Sequence, residues 1–118
     1  MNAEALAELG ELDKTAWDAT IKPIRDRAGF TLASALEFPE GASKDKLIEI
    51  VRNERRSELA LEGHRHKDII RWRIADNVLN GWCHGLKTND VVGTDDGYVR
   101  VENRTFNANK HYLWPIPQ

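Results

Sequence analysis

Apolar residues recur at helical spacing through the first eighty positions and then stop, and glycines cut that stretch into pieces. This punctuation constrains the fold more than any single residue does. Ala3, Leu6, Ala7 and Leu9 suggest a short helix that Gly10 ends. Thr15 with Asp18 resembles a capping box with Asp in place of Glu, opening a second helix. Its stripe is Trp17, Ile21, Ile24 and Ala28, with Gly29 as the stop; Pro23 removes one donor inside it and should bend it. Phe30 to Ala42 reads as irregular, with a turn at Phe38-Pro39-Glu40-Gly41. Ser43 then caps a long helix to about Glu62, with Asp45 favourably placed in its first turn. Leu47, Ile48, Val51 and Leu59 form its buried side. Gly63 fits a left-handed break, after which Arg65 to Leu79 predicts one more helix with Ile70, Ile74 and Val78 in line, flanked by Trp72 and Ala75.

The expected class is mainly α: tetratricopeptide-like antiparallel helix pairs over about residues 1–80, then a small β-hairpin and an extended C-terminal segment over 81–118. No repeat of about 34 residues is visible within the chain. Val91-Val92, Asp95-Asp96-Gly97 and Tyr98 to Val101 carry the hairpin signal. Tyr112-Leu113-Trp114-Pro115-Ile116-Pro117-Gln118 has too many prolines for a helix and too much apolar surface to hang in water, so it should lie extended in a groove. A length of 118 residues leads to one compact domain. A net charge of −2 gives no whole-molecule attraction for nucleic acid or anionic membrane. The single cysteine, Cys83, permits no intrachain disulfide, and the first ten residues lack the features of a signal peptide.

Two segments carry a resemblance. The first is Val51-Arg52-Asn53-Glu54-Arg55-Arg56-Ser57-Glu58-Leu59-Ala60-Leu61-Glu62-Gly63-His64-Arg65, followed by Asp68 and by Arg71-Trp72. The second is the closing His111 to Gln118, with Trp114, Pro115 and Pro117 in a hydrophobic-Pro-Ile-Pro pattern. Together with Ala3 to Gly10 and Ile24 to Gly29, in the same order, these resemble the C-terminal portion of the SusD/RagB family. The resemblance implies a surface-exposed outer-membrane lipoprotein, non-catalytic and without cofactor, that captures glycan or another nutrient for a SusC-like TonB-dependent transporter. It also implies membrane association through a lipid anchor that this chain does not include. The N-terminal part of the family is missing here, so the chain reads as a truncated C-terminal piece. Ligand contacts in the family vary with substrate, and none is carried over.

The chemistry of the charged motif points to scaffolding. Glu54, Glu58 and Glu62 at intervals of four would stack on one helix face and repel unless cations lie alongside. Arg55, Arg65 after Glu62 and Arg71 after Asp68 are placed to supply them, and a guanidinium fork suits a partly buried network between helices. Three other readings compete. A metal-dependent enzyme would use Glu58, Glu62 and His66, with Cys83 and His84 as a second possible ligand pair. Gly63 and the crowding arginines oppose it. A nucleic-acid-binding helix pair would use the basic residues between Arg52 and Arg73, but Glu54, Glu58, Glu62 and Asp68 are interleaved among them. Glycoside hydrolysis needs two carboxyls across a cleft, and these are flanked by arginine or lie in turns such as Asp95-Asp96. Of the four tryptophans, Trp17 and Trp72 read as core and Trp114 as a docked tail residue. Trp82, in Gly81-Trp82-Cys83-His84-Gly85, is expected in a loop and is the one candidate to face a ligand.

Overall fold

A computed structural model of the chain describes residues 2–88 and 94–113. It is mainly helical with a small antiparallel sheet, as the sequence pattern implies. By contact the chain resolves into two compact units, Met1–Leu61 and Glu62–Gln118, where length alone leads to one.

The first unit holds α1 (Asn2–Leu9), α2 (Lys14–Arg27), α3 (Ala33–Leu36) and α4 (Lys44–Glu58). α1 packs against both α2 and α4. The small residues Ala3 and Ala7 are buried at these contacts, and a side chain without length lets two helices approach a third closely. Leu12, Trp17, Ile21, Leu47 and Val51 complete the core, with Phe38 and Ile48 packed at its edge. Trp17 is 1% exposed; its indole N–H donates to the Leu36 carbonyl at 2.8 Å, and Phe38 meets its ring edge-on at 5.9 Å. Removing a buried indole with its one donor satisfied forfeits both its packing and that hydrogen bond.

Two helix ends follow the same rule. After α1 the Glu11 N–H reaches the Leu6 carbonyl and the Gly10 N–H reaches Ala7. After α2 the Phe30 N–H reaches Arg25 and the Gly29 N–H reaches Asp26. Both are Schellman closures, which require a left-handed residue that glycine adopts without strain; φ is 80° at Gly10 and 84° at Gly29.

Several local expectations are corrected. Asp13, not Thr15, caps α2: its backbone is extended and its side chain accepts from the Ala16 N–H at 2.8 Å. Asp18 instead pairs with Lys14 at 2.8 Å. The stretch predicted as irregular contains the one-turn α3. Ser43 does cap α4, accepting from the Lys46 N–H, but the helix stops at Glu58 rather than near Glu62. Glu62 therefore lies in the turn after it, where Leu61 also takes a positive φ of 67°.

The second unit holds α5 (His64–Arg71), α6 (Ala75–Leu79), β1 (Gly81–Lys87), β2 (Thr94–Asp95) and β3 (Tyr98–Arg104). The single helix expected over Arg65 to Leu79 is two. Arg73 has φ 52°, its N–H reaches the Ile70 carbonyl, and the Ile74 N–H reaches Ile69. This third Schellman closure uses arginine where the first two use glycine. The stripe of Ile70, Ile74 and Val78 is broken accordingly; Ile69 and Ala75 are buried and Val78 is exposed. Trp72 is half-buried, at the end of α5.

The sheet runs β1-β3-β2, antiparallel throughout. Asp96 and Gly97, both left-handed, form the tight turn between β2 and β3 that their Asp-Gly sequence predicts. The segment around Trp82 is strand β1, not the expected loop, and pairs Trp82 with Asn103 and His84 with Arg100. Val91-Val92 and the tail signature Trp114 to Gln118 lie outside the described residues.

Candidate functional site

α4 carries the charged motif and divides its charges between two neighbours. At about 100° per residue, Leu47 and Val51 define its buried line, with Arg52 and Arg55 on one flank and Glu54 on the other. The arginines reach α1: Arg52 holds Glu8 at 2.8 Å, and Arg55 Nε lies 4.0 Å from Glu4, a glutamate only 8% exposed. The glutamates reach α2: Glu54 accepts from Arg25 at 2.7–2.8 Å, and Glu58 accepts from Arg27.

Arg25 is the hub. Besides Glu54 it donates to the Ala35 carbonyl at 2.5 Å, and its guanidinium carbon sits 5.1 Å from the Trp17 ring centroid. One side chain thus ties α2, α4 and the α3 segment together over the core tryptophan. A planar guanidinium presents these donors at fixed angles with its flat face on the ring, a geometry that a compact ammonium lacks.

The remaining motif residues lie in the second unit. Asp68 is 5% exposed and accepts from Arg71 at 3.0 Å, the i, i+3 pairing expected. Arg71 also covers Trp72, 5.2 Å from the ring. Gly63 has φ 78° and opens α5. Glu62 is corrected: it does not stack with Glu54 and Glu58, and His64 rather than Arg65 lies near its carboxylate, at 4.0 Å. Trp114, Pro115 and Pro117 lie outside the described residues.

On the sheet, an exposed face links aromatic and ionic groups across strands. Arg100 lies 5.5 Å over Trp82 and donates to Asp95; His84 Nε2 is 3.0 Å from the same carboxylate. His84 meets Tyr98 edge-on at 6.5 Å, and Lys87 lies 5.3 Å over that ring. The Arg100 hydrogen bond and then the His84 contact hold the Asp95 carboxyl well below its ordinary range.

A family model described as the SusD family matches residues 1–118, the full length of the chain. The chain belongs to the SusD family. No curated protein and no solved structure matches it. The motif of this SusD-family chain is occupied in holding helices together, since Glu54 and Glu58 are each engaged by an arginine of α2.

The metal reading is not assembled by this geometry. Among the described residues no three of His, Cys, Asp and Glu are grouped, and Glu58 is engaged by Arg27 rather than joined to Glu62 and His66. His84 turns to Asp95, not to a shared site with Cys83. The basic residues of the motif that would track nucleic-acid phosphates include Arg52, Arg55 and Arg71, each paired with a carboxylate. Spacing along the sequence pairs the motif arginines and glutamates with one another. Their main partners, Glu4, Glu8, Arg25 and Arg27, come from other helices. The position of Arg25 and Arg27 in the last turn of α2, on the flank of the Trp17 stripe, is the local signal for those two partners.

Proposed function

We propose that this SusD-family chain belongs to a non-catalytic nutrient-binding protein, with glycan as the favoured ligand class, serving a SusC-like TonB-dependent outer-membrane transporter. It corresponds in this reading to the C-terminal region of such a protein, held at the outer-membrane surface by a lipid anchor. The observation that carries the proposal is the family match over residues 1–118. The paired state of the motif carboxylates supports it, because a general acid or nucleophile needs a carboxyl free to face substrate. Trp82, exposed on β1 with Arg100 over its ring and Asp95 bound to that arginine, is the proposed candidate for contact with a sugar ring. Uptake then works by differential affinity, ligand binding favouring one state of the protein on its transporter over another, without any covalent step.

The full-length protein on a glycan array tests this directly. Saturable binding of a defined glycan, with the ligand recovered chemically unchanged, is the expected result. Release of new reducing ends that stops on Glu58→Gln would replace the binding protein with an enzyme.

A further inference from the structure

A concave region of the second unit has a lining made of donors and carbon. It is a cavity of about 400 Å³. Ile70, Tyr112 and Leu113 supply its apolar surface; His66, Lys67, Arg71 and His111 supply its polar surface. Among the described residues lining it there is no carboxylate. His66 and Ile70, and Lys67 and Arg71, are two i, i+4 pairs on α5, so adjacent rows of one helix face build that side of the wall.

Tyr112 and His111 are anchored by contacts within the same unit. The Tyr112 hydroxyl donates to Asp76 at 2.8 Å and accepts from the Ala75 N–H at 3.0 Å, and Phe106 packs edge-on against its ring at 4.9 Å. His111 Nδ1 accepts from the Asn107 N–H at 2.9 Å. A neutral ring whose Nδ1 accepts must carry its proton on Nε2, so His111 offers a donor. Lys67 offers ammonium donors. Arg71, which also lines the cavity, is engaged by Asp68 at 3.0 Å, so Lys67 and His111 are the donors offered to a ligand.

We propose that this cavity binds the acidic group of an anionic saccharide, a uronic acid carboxylate or a sulfate ester. The inference rests on the glycan-binding reading above and narrows its ligand class. The chemistry is complementary in both parts. The Lys67 ammonium and the His111 Nε2–H, with no carboxylate among the described lining residues, suit an oxyanion, and an anchored tyrosine ring beside aliphatic carbon suits the C–H face of a sugar ring. A neutral glycan would leave Lys67 without an ionic partner from the ligand and gain only the apolar part.

The test is calorimetric titration of the full chain with galacturonate, glucuronate and sulfated oligosaccharides, each beside its neutral parent. At least one acidic member should bind roughly tenfold tighter than its neutral parent. Lys67→Glu should remove that preference, while Lys67→Arg should keep it. Lys67 is exposed, so neither change threatens the fold. Equal binding of acidic and neutral members overturns the inference and leaves glycan capture intact. A preference unmoved by Lys67→Glu overturns it as well, as does binding to anionic phosphatidylglycerol vesicles with no acidic saccharide bound. Failure to bind any saccharide in the panel or on the array takes down both readings together.

Discussion

The two units of this chain spend their charges differently. In Met1–Leu61, arginines and glutamates form a second layer around an apolar core, and the α4 motif's pairs with Glu4, Glu8, Arg25 and Arg27 cross from one helix to another. In Glu62–Gln118 the buried residues among those described are Asp68, Ile69 and Ala75. That unit relies on turn chemistry, cross-strand pairing and cations laid over aromatic rings. The lesson is that an identical residue type reads as brace or as binding surface according to the apolar area beneath it. Where Leu47 and Val51 exclude water, a guanidinium is held on its carboxylate. Where they have no counterpart, cations such as Lys67 border an open cavity.

The largest test of that contrast compares two tryptophans. Trp17→Ala removes a fully buried ring, its hydrogen bond to Leu36 and the surface beneath Arg25. The expected loss is about 4 kcal/mol in chemical denaturation. Trp72→Ala, at a half-buried site, should cost roughly 1–2 kcal/mol. Equal losses would erase the distinction between a core-built unit and a surface-built one.

A smaller effect separates the motif glutamates. Glu54 and Arg25 have side chains 13% and 16% exposed, so Glu54→Ala strands a largely desolvated guanidinium and should cost about 2 kcal/mol. Glu58 pairs with Arg27, whose side chain is 73% exposed, and Glu58→Ala should cost about 0.5 kcal/mol. Glu62→Ala, in a turn, should fall at or below that. The measurement is the shift of the urea midpoint for each variant. If Glu62→Ala proved the most damaging of the three, the assignment of the motif to helices α1 and α2 would be wrong.

Much of the first unit was legible because its signals are local. The Trp17-Ile21 stripe, the Ser43 cap and the glycine stops at Gly10 and Gly29 each act within a few residues of themselves. The partners of Arg25 and Arg55 were not, because 29 residues separate Arg25 from Glu54 and no periodicity spans that gap. In the second unit, the break at Arg73 was hidden since an arginine there carries none of the signal a glycine would. Strand β1 was hidden for a related reason. Gly81-Trp82-Cys83-His84-Gly85 shows no alternation, and its register slips between His84 and Lys87, so pairing with β3 alone makes it a strand. The Asp96-Gly97 turn was plain, as Asp-Gly is a sufficient local instruction.

The smallest effect lies on the hairpin and depends on pH. Asp95 accepts from Arg100 and contacts His84, so its carboxyl titrates below its ordinary 3.8 in the folded chain. A carboxyl with a folded value below its unfolded one adds stability at every pH above the unfolded value. That increment is lost as pH falls from about 4 through the lower folded value, where the unfolded chain takes up the proton first. Thermal melts of the parent from about pH 5 to pH 2 should therefore decline more steeply than those of Asp95→Asn, which has no proton to gain. The two curves should converge at the acid end, and amide exchange at Val99 and Arg100 should show the same dependence. Parallel curves would mean that the Asp95 contacts add nothing to the sheet, leaving the aromatic–cation pairs of Trp82 and Tyr98 to hold its exposed face.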